Sequence, residues 1–431
     1  MTGDPIDWLH GLAQFGIKFG LQNIRAVLGA LGHPEHHFRA LHVAGTNGKG
    51  SVTAIVEAAL RSAGYRTGRY TSPHLLDLTE RFVVNGTAVH QADMVAAVES
   101  VRAAVGRLQA DGTLDVHPTF FEVTTAVAFE LFRRHHVEVA VCEVGLGGRL
   151  DATNVLSPVA CAITSIAFDH EQYLGHTLRE IATEKAGIIK PSVPVVIGTM
   201  APEAEQAIAE VAHRQEAPLV RAMDGAHLGS AATGSDHQQQ FALRTRAHDY
   251  GQVTLALAGP HQIANALVAV TLIEQAAERG MPVGADAILH ALATVRWPGR
   301  LEHVTLADGT KVLLDAAHNP AGAEALAAYL RTLSPPRALV FSAMRDKDLP
   351  AILRPLASVV SRIVITRATN PRAADPPDIA ALVRALAPAL PVEVVEPPQA
   401  AVIHAAGGDM PVVVAGSIFL LADVMKMARR S

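Results

Sequence analysis

The stretch VAGTNGKGSV, residues 43–52, has the composition of a loop that binds phosphate groups. It follows an apolar run, ALHVAG, and precedes SVTAIVEAALRSAG, which has the pattern of a helix. In such a loop the backbone N–H groups converge on phosphate oxygens, and the positive end of the helix dipole lies behind them. The predicted nucleotide contacts are Gly45, Thr46, Asn47, Gly48, Lys49, Gly50 and Ser51. The alternative is a glycine-rich turn between a strand and a helix that binds no ligand.

The loop lacks the hydroxyl that usually holds Mg²⁺. In the common nucleoside-triphosphate loop the lysine is followed directly by Ser or Thr, whereas here Gly50 follows Lys49. Candidate ligands stand after other predicted strands: Ser72 in TSPHL, Glu143 at the end of VEVAVCEVG, and His170 in SIAFDHEQYLG. Because the carboxyl ends of parallel strands share one edge of a sheet, we expect these side chains to converge on the nucleotide. Each residue taken alone is more often a helix cap or a surface group.

Apolar runs rich in Val and Ile alternate with helical patterns along the chain, which indicates an α/β fold around a mostly parallel sheet. The runs VEVAVCEVG, VACAITSIA and VPVVIGT are typical of buried strands. RFVVNGTAV differs, because Asn85-Gly86 between alternating residues predicts a hairpin. Residues 225–252 are polar and poorly periodic, and we expect a surface excursion that ends in a strand.

The segment RWPGR, residues 296–300, marks the predicted domain boundary. Residues 1–295 would form an ATP-binding domain with a phosphate loop. Residues 296–431 contain a hairpin pattern around Asp308-Gly309 and four further apolar runs, which predicts a smaller Rossmann-like domain.

The charge composition argues against two classes of binding partner. The 431 residues include 36 basic and 41 acidic side chains and no long run of like charge, which argues against nucleic acid and membrane surfaces. No apolar run approaches the roughly 20 residues of a bilayer helix, and MTGDPIDWLH does not resemble a signal peptide. Cys142 and Cys161 lie in apolar runs, where buried free thiols are expected. We therefore expect a cytoplasmic protein, and a monomer.

Seven motifs in order resemble the folylpolyglutamate synthase and dihydrofolate synthase family, a branch of the Mur-ligase-like ATP-dependent amide ligases. The motifs are AGTNGKGSV, TSPHL, EVGLGGRLDATN, SIAFDH, EKAGIIK, WPGRLE and DAAHNP, and the resemblance runs from about residue 12 to the C-terminus. In this family glycine follows the loop lysine. The resemblance implies that Ser72 supplies the missing hydroxyl, with Glu143 and His170 completing a first Mg²⁺ site.

The resemblance also implies a modified lysine. Lys185 in EKAGIIK would be carbamylated by CO₂ and would help to hold a second Mg²⁺. Burial would favour this reaction, because it lowers the pKa of a lysine and exposes a nucleophilic amine. From the residues alone, a lysine beside Glu184 on a helix is more often a solvated ion-pair partner.

Further roles follow from the same resemblance. The implied ATP contacts are Asn265, Arg300 and Asp315, the implied pterin-site residues are Phe121, Glu122, Asp151 and Ala152, and the candidates for glutamate binding or catalytic positioning are His318 and Ser417. Alternatives stay open for several of them. Arg300 could be a linker arginine, Asp151 a helix N-cap, and Phe121 a core aromatic.

The implied reaction is ATP-dependent ligation of L-glutamate to a carboxylate of dihydropteroate or a reduced folate, through an acyl phosphate. Lys49, Lys185 and His318 would be its catalytic residues. A cell-wall precursor ligase is less favoured, because such enzymes have a whole domain before the loop and only 44 residues precede Gly45. A nucleotide-dependent switch protein without ligase activity is the alternative from another class.

Overall fold

The computed structural model describes residues 4–12, 16, 18–234, 237–407 and 410–428. The chain forms two compact units. The first comprises residues 1–232, 240–256 and 264–295, and the second comprises residues 233–239, 257–263 and 296–431. Two short segments inside the predicted first domain therefore belong to the second unit.

The main sheet of the first unit is mostly parallel. Its strands are β1 (Arg39–Ala44), β2 (Thr67–Tyr70), β3 (Phe82–Val84), β4 (Thr87–Ala88), β5 (Val139–Glu143), β6 (Ala160–Ile163), β7 (Val195–Ile197) and β8 (Leu219–Arg221). Within the described residues their order is β4-β3-β2-β5-β1-β6-β7-β8. β1 lies between β5 and β6 and is parallel to both, with Val43 opposite Glu143 and Ala162. The phosphate loop therefore starts in the middle of the sheet.

The predicted hairpin is present between β3 and β4. Asn85 and Gly86 have φ angles of 48° and 78°, the left-handed values that a two-residue turn of type I′ requires. The sequence signal is local and specific, because few residues other than Asn and Gly tolerate these angles.

Helices cover both faces of this sheet. The helices that begin before residue 296 are α1 (Pro5–Gly11), α2 (Gln22–Ala30), α3 (Lys49–Ser62), α4 (Gln91–Ala110), α5 (Phe120–Arg134), α6 (Glu171–Leu174), α7 (Leu178–Ala186), α8 (Pro202–Arg214), α9 (Pro260–Glu278) and α10 (Ala285–Thr294). α5 is buried along most of its length, and Phe129 and Phe132 are fully buried in the core. None of the helices in the described part of the chain has the length and apolar character of a membrane span.

Residues 225–252 were expected to be a surface excursion that ends in a strand, and the segment does begin with exposed residues and end in a strand, but it contains more strands than expected. They contribute to a small second sheet whose strands are β9 (His227–Leu228), β10 (Ala232–Thr233), β11 (Gln239–Arg244) and β12 (Asp249–Leu255), with β9 antiparallel to β11. β9 and β10 are two residues long and exposed, so they leave no alternating apolar pattern in the sequence.

The second unit is a smaller α/β domain. Its strands are β13 (Glu302–Thr305), β14 (Lys311–Leu314), β15 (Ala338–Phe341), β16 (Arg362–Ile365), β17 (Val392–Val394) and β18 (Val412–Ala415), and its helices include α11 (Pro320–Arg331), α12 (Leu349–Ala357), α13 (Pro376–Leu386), α14 (Pro398–Ala406) and α15 (Ile418–Ala428). The strand order in the described residues is β13-β14-β18-β15-β16-β17. β13 and β14 form the predicted antiparallel hairpin, and the remaining pairs are parallel.

Candidate active site

The phosphate loop contains two glycines, Gly45 and Gly48, at positions where any side chain would collide with a neighbouring residue. Gly45 has a φ of 145°, and a Cβ there would lie 1.9 Å from Oγ1 of Thr164. Gly48 has a φ of 88°, and a Cβ there would lie 2.2 Å from Oδ1 of Asn265. α3 begins at the next residue, Lys49. The loop backbone is therefore held against β6 on one side and α9 on the other.

The loop that follows β6 is hydrogen-bonded to the phosphate loop. The N–H of Thr46 donates to the carbonyl of Ser165 at 2.7 Å, and its hydroxyl donates to the carbonyl of Ala167 at 3.2 Å. The hydroxyl of Thr164 donates to the carbonyl of Asn47 at 2.6 Å. These bonds fix the segment SIAFDH, which leads to His170, beside the nucleotide loop.

Two lysines meet at a single backbone carbonyl of the phosphate loop. Nζ of Lys49 donates to the carbonyls of Gly45 and Thr46, each at 3.1 Å. Nζ of Lys185, on α7, donates to the same Gly45 carbonyl at 3.1 Å. The contact places Lys185 beside the loop. The alternative of a solvated ion pair with Glu184 does not occur, because Lys185 is buried and Glu184 pairs with Arg149.

The environment of Lys185 favours a neutral amine. Its side chain is buried, and burial followed by the charge of Lys49 lowers the pKa of Lys185 to about 7, with Asp169 and Asp151 opposing the change. About half of the amines are then unprotonated at neutral pH. An unprotonated lysine is the form that attacks CO₂, so the side chain has the chemistry that a carbamate requires.

Two of the three predicted magnesium ligands lie at the same edge of the sheet as the phosphate loop. Tyr70 is paired with Cys142, so the residues that follow, up to Ser72, lie beside Glu143 at the ends of neighbouring strands. Glu143 is buried and Ser72 is half-buried. A buried carboxylate and a hydroxyl at this edge fit Mg²⁺, which prefers oxygen ligands.

His170 lies at the end of the loop that is bonded to Thr46 and Asn47, directly before α6. Its side chain is 41 % exposed, and its Nε2 lies 3.9 Å from Oδ1 of Asp169. Joint ligation of one ion by Ser72, Glu143 and His170 stays a prediction.

Asp151 is the N-cap of the short 3₁₀ helix Ala152–Val155, the structural alternative that the sequence left open. Its Oδ2 accepts a hydrogen bond from the N–H of Leu146 at 2.9 Å, and its Oδ1 accepts one from the N–H of Thr153 at 3.0 Å. Burial raises the pKa of Asp151, while the bonds from Thr153 and the backbone oppose this. A role in pterin binding would use the lone pairs that remain.

The sequence did not point to His42, which is connected to Asp151 by hydrogen bonds through the hydroxyl of Thr153. Oγ1 of Thr153 donates to Oδ1 of Asp151, and Nε2 of His42 lies 2.8 Å from the same Oγ1. Burial, and then the charge of Lys190, lowers the pKa of His42 to about 3, so the ring is neutral and donates through Nε2–H. The available signal was a polar residue inside ALHVAG, a strand that is otherwise apolar.

The other predicted pterin residues lie at the start of α5 and in the 3₁₀ helix. The ring of Phe121 is half-buried and packs against the backbone of Gly145, where a Cβ would lie 2.4 Å from it. Glu122 forms a capping box, because its Oε2 accepts from the N–H and the hydroxyl of Thr119 at 2.8 and 2.9 Å. Ala152 is buried in the core. Substrate contacts of Phe121, Glu122 and Ala152 stay predictions.

In the second unit, Asp315 organises the turn that contains Arg300. Its Oδ2 accepts from the N–H of Leu301 and its Oδ1 from the N–H of Ala317, both at 2.9 Å. Arg300 and His261 are both half-buried. Desolvation lowers the pKa of His261, with the charge of Asp315 opposing the change and the charge of Arg300 adding to it. Nδ1 of His261 has no hydrogen-bond partner among the described residues. The ATP contacts of Arg300 and Asp315 stay predictions.

His318 and Ser417 follow neighbouring parallel strands of the same unit. β14 is paired with β18, and the N–H of Gly416 donates to the carbonyl of Ala317 at 2.9 Å, which joins the two loops. Nδ1 of His318 donates to the carbonyl of Ala316 at 2.8 Å. The hydroxyl of Ser417 accepts from the N–H of Phe419 at 3.2 Å. The structure therefore brings these two candidates to one edge of the smaller sheet.

Comparison with known proteins gives matches over nearly the whole chain. Residues 43–273 match the Mur ligase middle domain, and residues 299–418 match the glutamate ligase domain of Mur ligases. The dihydrofolate synthase/folylpolyglutamate synthase of Bacillus subtilis is 38 % identical over 374 residues, which cover 86 % of each chain. The chain belongs to the folylpolyglutamate synthase and dihydrofolate synthase family of Mur ligases. The family resemblance in the sequence is thereby confirmed.

Solved structures of this family share the fold. The folylpolyglutamate synthase of Mycobacterium tuberculosis, complexed with ADP, superposes with a TM-score of 0.91 at 31 % identity and covers 99 % of both chains. FolC of Escherichia coli, in complex with DHPP and ADP, superposes with a TM-score of 0.84 at 32 % identity and covers 100 % of this chain and 99 % of its own. The predicted α/β class, with a mostly parallel sheet and a smaller second domain, is confirmed.

Proposed function

We propose that this chain uses ATP to join L-glutamate to a carboxylate of dihydropteroate or a reduced folate. As a member of its family it is an ATP-dependent amide ligase that forms ADP and phosphate. The observation that best supports the residue-level proposal is the meeting of Lys49 and the buried Lys185 at the Gly45 carbonyl. We assign different roles to the two residues: Lys49 stabilises phosphate charge, and Lys185, whose pKa is lowered, reacts with CO₂.

The reaction begins with attack of a substrate carboxylate oxygen on the γ-phosphorus of ATP. The new O–P bond forms as the bond to the β–γ bridging oxygen breaks, and ADP leaves. The amine of L-glutamate then attacks the acyl carbon and loses a proton, and phosphate departs with its oxygen to leave the amide. Lys49 and the N–H groups of the loop stabilise the transferred charge, an effect for which loss of one donor costs about 10²–10³ in rate.

Ser72, Glu143 and His170 would hold the first Mg²⁺, which neutralises phosphate charge when bound. Lys185 is proposed to react through its neutral amine, so that an N–C bond forms with CO₂ and one proton is released. The resulting carbamate would offer oxygen ligands to a second Mg²⁺. Burial of Lys185 supports this step, because it lowers the pKa of the amine and so favours the neutral form that reacts with CO₂.

The substrate sites are proposals of the same kind. Asp151 and Phe121, with Glu122 and Ala152 beside them, would form the pterin site. Asn265, Arg300 and Asp315 would contact ATP, and His318 and Ser417 would position glutamate. Residues 1–295 would act as the ATP-binding domain and residues 296–431 as the glutamate-ligase domain. The free thiols of Cys142 and Cys161, both buried, fit a reducing cytoplasm, and we propose a monomer that binds neither nucleic acid nor membranes.

Product analysis tests the function. Purified protein is incubated with ATP, Mg²⁺ and L-glutamate, and with dihydropteroate or tetrahydrofolate in separate reactions, and the products are identified by mass. A mass increase of one glutamyl residue, with phosphate release that requires both the acid and L-glutamate, is the expected result. Slow ATP hydrolysis that is indifferent to both substrates would instead identify a nucleotide-dependent switch.

A further inference from the structure

A group of metal-ligand side chains lies in the segment GHPEHHF, residues 32–38, directly before β1. Nδ1 of His33 lies 3.0 Å from Oε1 of Glu35, and Nε2 of His36 lies 3.7 Å from the same oxygen. One ligand atom from each residue lies within 4.8 Å of the others. Among the residues that the structure describes, no other three His, Cys, Asp or Glu side chains meet this condition.

The local backbone brings these three residues together. His33 has a φ of 55°, in the left-handed region, and it caps the short 3₁₀ helix Pro34–His36. Pro34 is buried at the first position of that helix and fixes its start. The two imidazole rings stack at 5.0 Å with an interplanar angle of 8°. A sharp turn followed by a buried proline thus holds both rings on the side of the Glu35 carboxylate.

Only one of the two carboxylate oxygens of Glu35 has a hydrogen-bond partner among the described residues. Its side chain is 7 % exposed, and Oε2 is buried with no hydrogen-bond partner in the described residues. A buried carboxylate oxygen without a hydrogen-bond partner is energetically unfavourable. A divalent cation bound to this carboxylate would compensate the buried negative charge. This observation is independent of the spacing of the ligands.

The distances suit a tetrahedral transition-metal site. Zn²⁺ binds imidazole nitrogen and carboxylate oxygen at about 2.0–2.1 Å, which places neighbouring ligand atoms about 3.3 Å apart. The observed 3.0 and 3.7 Å lie on either side of this value. The side chains of His33 and His36 are 54 % and 70 % exposed, so both rings have room to turn towards one ion.

We propose that His33, Glu35 and His36 bind one Zn²⁺ or a similar divalent transition metal, with water in the fourth position. Two imidazoles and one carboxylate select such a metal over Mg²⁺, which takes oxygen ligands. β1 is six residues long, so about 20 Å of strand separates this site from the phosphate loop. The ion is therefore separate from the ATP chemistry, and it stabilises the start of the strand that leads to the loop.

Titration of the full-length, metal-free protein with Co²⁺ tests the proposal, with visible absorption as the signal. Mg²⁺ and ADP are kept in excess, so that sites near the phosphate loop are occupied. We expect one strongly absorbing Co²⁺ per chain and competition by Zn²⁺. His33→Asn, Glu35→Gln and His36→Asn should each weaken Co²⁺ binding at least tenfold. His37→Asn is the matched control, since His37 is exposed and adjacent but outside the group.

Thermal unfolding provides a second measurement that does not depend on the spectrum. Zn²⁺ should raise the Tm of the wild type and of His37→Asn, and it should leave the Tm of a His33→Asn/His36→Asn double variant unchanged. Equal Co²⁺ binding by the wild type and this double variant would overturn the proposal. An unchanged Co²⁺ affinity in Glu35→Gln would also overturn it, because the carboxylate is the central ligand.

Discussion

Nζ of Lys185 lies 3.1 Å from the carbonyl oxygen of Gly45, which also accepts a hydrogen bond from Lys49. The contact connects α7 with the phosphate loop and places a buried amine beside the predicted nucleotide. Burial of the Lys185 side chain, followed by the positive charge of Lys49, lowers the pKa of Lys185 to about 7. The geometry favours a neutral, reactive Lys185 beside a charged Lys49.

Removal of the Lys185 amine should abolish ligation. Lys185→Ala loses both the proposed carbamate and the contact with Gly45, so we expect product formation to fall by at least about 10²-fold. Short carboxylates such as acetate should restore part of the activity, because they can enter the vacated space as oxygen ligands. The measurement is steady-state glutamate ligation with and without added carboxylate. Unchanged turnover in Lys185→Ala would rule out the proposed role.

Lys190→Met is the matched control for this experiment. Lys190 is half-buried, whereas Lys185 is buried, and the Nζ of Lys190 donates to the carbonyl of Asn154 rather than to the phosphate loop. Its loss should alter stability but should give no response to added carboxylate.

The stability of the first unit should depend on pH through Lys185. Its pKa is about 7 in the folded protein and 10.5 for the free side chain, so between these values the unfolded chain binds more protons. Stability should therefore rise with pH from about 7 to about 10.5 and be level below about 7, where both states are protonated. Urea unfolding of the wild type and Lys185→Met, in CO₂-free buffer at several pH values, measures the effect. A difference between the two proteins that does not change with pH would contradict the lowered pKa.

Alanine at either loop glycine should prevent nucleotide binding. In Gly45→Ala and Gly48→Ala the new methyl groups would meet Thr164 and Asn265, so the loop must move away from its phosphate-binding path. We expect ADP affinity, measured by calorimetry, to fall at least tenfold. Gly64→Ala is the control, because Gly64 has a φ of 94° but nothing within 4 Å of its Cβ position. It should lose about 1–2 kcal/mol of stability through backbone strain and bind ADP normally.

Thr153→Val should impair the acid substrate more than ATP. The change keeps the shape of the side chain, but it removes the hydrogen bond to Asp151 and leaves Nε2–H of His42 unpaired. We expect a loss of about 1–3 kcal/mol in unfolding free energy and a higher KM for the pteroate acid. Thr271→Val is the control, since that buried hydroxyl donates to the carbonyl of Leu267 within α9 and to no other group in the described residues. Equal changes in the KM values for ATP and the acid would contradict a positioning role.

Local signals in the sequence were sufficient for much of the fold. The loop of residues 45–51 and the turn at Asn85-Gly86 require particular residues at particular backbone angles, so their sequences are specific. Strand and helix alternation followed from burial on both faces of a parallel sheet. Thr119 and Glu122 also form a capping box, whose pattern S/T-x-x-E is a local signal present in the sequence.

Contacts between distant segments could not be predicted in the same way. The bond from Lys185 to Gly45 and the chain from His42 through Thr153 to Asp151 depend on which strands are neighbours. The sequence gives periodicity but not strand order. The strands β9 and β10 were missed for a different reason, because two exposed residues leave no pattern to detect.

The position of Asn265 against Gly48 has a consequence for the way in which the protein is made. On the ribosome the glycine-rich loop leaves the exit tunnel well before α9 is synthesised. At that stage the nascent chain lacks Asn265, the residue that lies against Gly48 in the folded protein. Under the proposed function, the complete nucleotide site would form only after α9 has been synthesised and has packed against Gly48. Nucleotide capture would therefore mark a late stage of biogenesis rather than guide its early steps.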